Sequence, residues 1–196
     1  MIRPARAAAL ALALVVIAGS ASGQAQDESA APPRYQVEAI VFTQPPIGES
    51  VEEAPGTEPT PLPRRLAWPL GESDDGLIGY DRLPVSSHQL TDTARRIDAR
   101  PGFDVRWHAA WNQPGVSRSK AQPLALPAIE SIPALEGTIQ ISRERFSHAR
   151  VELRLAESPD AHWTLSASRR LRGEQPHYFD HPLLGVVIRV DPLDED

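Results

Sequence analysis

In three successive runs between Leu135 and Leu171, apolar residues fall on every second position, and this period constrains the fold more than any other feature. Leu135, Gly137, Ile139 and Ile141 form the first row and Ala149, Val151, Leu153 and Leu155 the second. Trp163, Leu165, Ala167 and Leu171 form the third, with Arg169 falling on the same side. A period of two sends neighbouring side chains to opposite faces of a strand, so each run buries one face and wets the other. Short links such as Glu157-Ser158-Pro159-Asp160 point to antiparallel hairpins. Leu183 to Val190 is nearly continuously apolar, as in a strand covered on both faces.

Upstream, Tyr35 to Phe42 reads as a strand that stops at Pro45-Pro46, and its apolar second half also predicts cover on both sides. Leu90, Ala94 and Ile97 recur at helical spacing opposite Arg95, Arg96 and Asp98. Ser86 or Ser87 is the expected N-cap, and Pro101-Gly102 the stop. Phe103, Val105, Trp107, Ala109 and Trp111 then share one face of another strand. Strand, helix, strand is a crossover unit, which favours a parallel pair. Pro-rich loops occupy 44–65 and 113–133, and Leu66 to Leu70 is a small apolar knot between them. The expected fold is a single α+β domain over 35–192, one mixed, mostly antiparallel sheet of about six strands with one helix on a face.

The N-terminus has the form of a secretory signal peptide over 1–23. Arg3 and Arg6 precede a 12-residue apolar run, Ala7 to Ala18, and Ser20-Ala21-Ser22-Gly23 offers a cleavage site after Gly23 or Ala25. The run is shorter than the roughly 20 residues that span a bilayer. With no cysteine at the junction, no membrane anchor is expected after cleavage, and the protein is expected to be exported. Removing two arginines and no acid moves the net charge from −6 to −8, which disfavours nucleic acid as a partner. A polar lead over 24–34 and an acidic tail over 193–196 flank the domain. The absence of cysteine excludes thiol catalysis and thiolate metal sites. Arginine outnumbers lysine 19 to 1, so almost every cation is a planar fork suited to carboxylates or phosphates.

Two places could carry chemistry. His177-Tyr178-Phe179-Asp180-His181-Pro182 sets two imidazoles and a carboxylate within five residues. Read as a metal site it would serve a zinc hydrolase, but in an extended chain positions four apart stand about 13 Å from each other. Neither a third ligand nor a general base is marked nearby. Read as a corner, Asp180 accepts backbone N–H groups two residues on and Pro182 keeps the chain out of helix. The corner is the stronger reading, so no metal and no cofactor is assigned. No Gly-x-Ser-x-Gly elbow and no glycine-rich phosphate loop occurs. The second place is the polar face of the alternating runs. Thr138, Gln140 and Ser142 lie on it, then His148, Arg150, Glu152 and Arg154, then Thr164, Ser166, Ser168, Arg170 and Arg172. Such a face is either merely solvated or able to hold a polymer rich in hydroxyls and carboxylates.

The stretch RRLRGEQPHYFDHPLLGV, Arg169 to Val186, resembles the C-terminal signature of the CsiV family, and Ser168 completes the match. Tyr35 to Phe42 is similar to that family's opening strand, and His108, Trp111 and Gln113 to its histidine, aromatic, glutamine stretch. Leu135 to Ser142, followed by Arg145-Phe146-Ser147-His148, resembles its glycine-bearing strand and hairpin. Pro176 departs from the pattern, which has an apolar residue there. The resemblance implies a non-catalytic periplasmic protein that binds peptidoglycan. It also implies partners: an outer-membrane lipoprotein activator and the class A penicillin-binding protein it serves. Arg169, Arg170, His177, Tyr178, Asp180, His181, Pro182 and Gly185 belong to the signature and are read as structural. His148, Arg150, Arg154, Arg170 and Arg172 are the expected wall contacts. The alternatives are a metal-dependent wall hydrolase using His177, Asp180 and His181, or an interaction module docking through its Pro-rich loops.

Overall fold

A computed structural model describes residues 31–46, 68–69, 79–127, 133–158 and 161–193. All but Ala31 belong to the unit Pro32–Asp196. The expected signal peptide, most of the lead and of the first Pro-rich loop, and the tail beyond Leu193 lie outside the described residues.

The described strands are β1 (Arg34–Thr43), β2 (Trp68–Pro69), β3 (Asp81–Arg82), β4 (Asp104–Pro114), β5 (Leu124–Ala125), β6 (Ala134–Arg143), β7 (Ser147–Ser158), β8 (Ala161–Arg170), β9 (His177–Asp180) and β10 (Leu184–Pro192). A 3₁₀ turn, Val85–Ser87, leads to one helix, α1 (Thr91–Asp98). The strands form two sheets, not one of about six strands. The orders are β3-β4-β1-β10-β9 and β2-β5-β6-β7-β8. The alternating runs are antiparallel neighbours, as their rhythm predicts. The apolar run after them leaves their sheet and pairs with β1 and β9. As expected for such a run, β10 is central, and its residues from Leu184 to Ile188 are all buried.

The sheets pack through a shared core. Val37, Ala39, Val41 and Trp111 of the first sheet, with Val186, Ile188 and Val190, meet Leu135, Ile139, Val151, Leu153, Leu155, Trp163 and Leu165 of the second. Gln113 bridges the two: its Oε1 accepts from Trp111 Nε1 at 2.9 Å and its Nε2 donates to Ile141 O at 3.0 Å. The helix covers the other face of the first sheet, where Leu90 and Ala94 bury Ile40, Phe42 and Val187.

Three expectations change. First, β1 and β4 are neighbours but antiparallel, with Thr43 opposite Asp104. The excursion through the helix therefore begins and ends at the same end of the sheet. An eight-residue helix is about 12 Å long and does not by itself carry the chain back along a ten-residue strand of about 33 Å. Second, the register shifts between Val41 and Phe42, so Phe42 faces Val105 while Val41 faces Trp107. The extra residue flips the start of β4, sending Phe103 and Val105 to the helix side while Trp107 packs on the inter-sheet core. Third, no serine caps α1: its N-cap is Leu90, without a side-chain bond. The described part of the second Pro-rich loop is not loose either. It carries β5 and buries Ala121, Leu124 and Leu126.

Candidate functional site

Register lays out the polar face of the second sheet. Ser142, His148 and Arg170 stand side by side across β6, β7 and β8. Gln140, Arg150 and Ser168 form the next row, then Thr138, Glu152 and Ser166, then Glu136, Arg154 and Thr164. Thr138 and Ser142 are buried, whereas Arg150, Ser166, Ser168 and Arg170 are exposed. The first two rows border a depression of about 160 Å³, lined by Gln140, Ser142, His148, Arg150 and Ser168, with Arg118 and Glu144 from the flanking turns. Gln140 Nε2 fixes one of those turns by donating to Ala121 O at 2.9 Å. His148 Nδ1 lies 3.1 Å from Phe146 O, a carbonyl that only accepts, so the ring proton sits on Nδ1. Arg150 Nε donates to Glu152 Oε1 at 2.8 Å, yet 46% of the arginine side chain stays exposed. The depression thus offers guanidinium forks, hydroxyls, an amide, an imidazole and one carboxylate.

The structure brings together only part of the expected contact set. His148 and Arg150 line the depression. Arg170 is not among the lining residues; it pairs with His148 in register, its guanidinium 3.2 Å from the Phe146 ring centroid. Arg154 lies two rows away in an ion pair with Glu136. Arg172 lies past the end of β8, its backbone at the His177 ring. Arg118 and Glu144 carried no local signal, because only tertiary packing brings their turns to the strands.

The HYFDHP stretch forms β9 and the turn into β10. His177 Nε2 sits 3.0 Å from Arg172 N and 3.2 Å from Arg172 O, so either tautomer has a partner. His181 is buried: its Nδ1 accepts Leu183 N–H at 3.2 Å and its carbonyl accepts Gln44 Nε2 at 2.7 Å. Asp180 cannot take a backbone N–H two residues on, because Pro182 has none; the neighbouring His181 accepts from Leu183 instead. Asp180 Oδ1 instead accepts Tyr178 Oη at 2.8 Å and Gln44 Nε2 at 3.2 Å. Burial, then the Asp180 carboxylate, push the Tyr178 phenol up to about 12, so it stays a donor. Arg169 Nη1 donates to Tyr178 O at 2.7 Å. Gly185 faces Phe42, and a Cβ there would overlap the ring. His177, Asp180 and His181 point to separate partners and, among the described residues, share no common point.

A third cluster escaped the sequence reading. On the helix side of the first sheet, Glu38 of β1 is 2% exposed. Its Oε1 accepts His108 Nε2 at 2.6 Å and Leu90 N–H at 2.9 Å, and its Oε2 accepts Gln89 N–H at 2.6 Å. His88 Nδ1 lies 3.9 Å from Glu38 Oε1. Burial pushes the Glu38 carboxyl up, but His108 and the two N–H groups outweigh it and hold the group below its ordinary value. Burial, then neighbouring His108, hold His88 below its own. The available signal was an acid next to the half-strand predicted to be covered on both sides, since a buried carboxylate requires partners.

No curated protein and no solved structure matches the chain. The sequence model of one family, described as peptidoglycan-binding protein, CsiV, matches residues 73–193. That span runs from before β3 to the end of β10, and so takes in the three hairpin strands, their polar face and the HYFDHP turn. The match covers more than half the sequence and agrees with the signature from Arg169 to Val186, so the chain belongs to the CsiV family of peptidoglycan-binding proteins.

Proposed function

We propose that this is a non-catalytic periplasmic protein that grips peptidoglycan through the open face of β6, β7 and β8. The observation that carries the reading is the depression where Gln140, Arg150 and Ser168 adjoin Ser142 and His148, with Arg118 at its rim. Peptidoglycan presents what this surface complements. Arginine forks match stem-peptide carboxylates, hydroxyls and the Gln140 amide match sugar hydroxyls, and Glu144 matches an ammonium group. Arg170 extends the cationic edge, while Arg154 and Arg172 are peripheral. The signature residues hold the β9–β10 turn and the sheet edge behind it. A wall-bound protein of this kind would support a class A penicillin-binding protein through its outer-membrane lipoprotein activator.

Co-sedimentation with purified sacculi tests the reading. Arg118→Ala with Arg150→Ala should cut binding at least tenfold, since a charge-assisted bond contributes roughly 1.5–3 kcal/mol before solvent screening. Binding of the parent should weaken steadily as salt rises. Undiminished binding by the double variant would place the contact elsewhere.

A further inference from the structure

We propose that Glu38, His88 and His108 form a site for a divalent transition-metal ion of the zinc class, which fastens the lead of α1 to the first sheet. The three residues come from β1, the 3₁₀ turn and β4, and one ligand atom of each lies within 4.8 Å of the others. The donor set of two imidazoles and a carboxylate suits zinc and its neighbours, whereas calcium and magnesium prefer oxygen alone. Donors each about 2.0–2.1 Å from a zinc ion stand about 3.3 Å apart in tetrahedral geometry. Glu38 Oε1 is now 2.6 Å from His108 Nε2 and 3.9 Å from His88 Nδ1, so shifts of roughly an ångström close the site, and the proton that His108 Nε2 shares with Glu38 is released to solvent or taken up on Nδ1 as the ion replaces it.

The second observation is His88 itself. Its side chain is only 5% exposed, and Nδ1, facing the cluster, has no hydrogen-bond partner. Its ring is hydrogen-bonded to the Leu83 backbone, and with Nδ1 unpartnered that bond falls to Nε2. A proton on Nε2 leaves the Nδ1 lone pair aimed at Glu38. An orphaned buried acceptor is costly in an apo protein and becomes satisfied when it ligates a cation. The supporting shell is in place as well: Leu83 orients His88, and the Gln89 and Leu90 N–H groups orient the carboxylate. His108 is 18% exposed and marks the side from which an ion and a fourth, water ligand would enter. Two cations lie near. Arg82 is exposed and screened by solvent, and Arg189, opposite Glu38 in register, is held by Asp191 at 2.8 Å. The site shares no residue with the wall-binding face, so either can fail without the other.

The test is titration of Zn²⁺ alone into chelator-treated protein, followed by calorimetry. One ion per chain should bind, and the melting temperature should rise by roughly 5–10 °C at a hundredfold excess over Kd. His88→Gln should weaken binding at least a hundredfold while leaving the apo fold intact, because Nδ1 has no hydrogen bond to lose and the glutamine amide N–H can replace the Nε2 donor to Leu83. Bound Co²⁺ should show the intense visible bands of a tetrahedral site in the parent and not in the variant. Should Glu38→Ala fail to fold, His88→Gln and His108→Gln carry the test. Zinc binding that is absent, or untouched by His88→Gln and abolished by His148→Gln with His177→Gln, overturns the proposal.

Discussion

The outer faces of the two sheets are written in similar alternating code and come to opposite ends. On the second sheet, polar residues alternate with core residues along β6, β7 and β8, and no helix among the described residues crosses them. On the first, Gln36, Glu38, Ile40 and Phe42 alternate with Val37, Ala39 and Val41, and the 3₁₀ turn and α1 lie over them. A carboxylate on the open face keeps water as a partner, and its ion pairs contribute at most about 1 kcal/mol. The same group under the helix needs protein donors, and Glu38 has three. The covered charge organises structure, whereas the open charges remain available to a ligand.

The sharpest way to break this contrast is to delete one acid from each face. Glu38→Ala should cost roughly 3–5 kcal/mol, because it strands two N–H groups and a partly buried imidazole. Glu152→Ala, which removes the partner of exposed Arg150, should cost less than about 1 kcal/mol. Urea unfolding followed by circular dichroism measures both. Equal losses would mean that the helix does not change what a charge does.

Acidification is the next test, with chelator present. His88 and Glu38 both titrate below their ordinary values in the fold, so each contributes stability that is complete at higher pH and lost as pH falls. The His88 contribution should begin to fade below about pH 6.5 and that of Glu38 below about pH 4.5. Arg189 faces the cluster too, but its hydrogen bond to Asp191 holds it above its ordinary value and it stays charged throughout this range. The slope should not exceed about 1.4 kcal/mol per pH unit for each proton taken up. His88→Gln should flatten the first segment only; an unchanged slope in that variant would remove His88 from the account.

These two faces also show how far the sequence could be read. The hairpins were legible because one side of each strand is buried and the other wet, which stamps a period of two on Ala149 to Leu155. That β10 joins β1 was not, since an apolar run declares that it is covered and not by which sheet. The bulge that flips Val105 away from Trp107 is a matter of register, which the alternating residues of β4 alone do not encode. Of the open face, His148 and Arg150 could be placed from strand parity, while Arg118 and Glu144 depend on where turns settle. The covered cluster was hidden because His88 sits in a polar stretch, 50 residues from Glu38 and 20 from His108. Only the odd acid in β1 hinted that something had to meet it.

The smallest effect on stability should accompany a large effect on binding. Arg150→Ala with Arg170→Ala removes one cation that lines the depression and one that stands beside His148 in register. Arg150 gives up one bond to Glu152, and Arg170 a stacking contact on Phe146. Contacts of this kind, at exposed sites, contribute up to about 1 kcal/mol each. The unfolding midpoint should therefore move little. Sacculus binding should drop sharply, because a ligand carboxylate that excludes water from these forks makes far more of them than Glu152 or Phe146 does. A matched pair on the covered face, Arg95→Ala with Arg96→Ala on the exposed side of α1, removes the same charge without touching the depression. If that pair reduced binding as much, net charge alone would account for attachment to the wall, and the arrangement of the β-sheet rows would not matter.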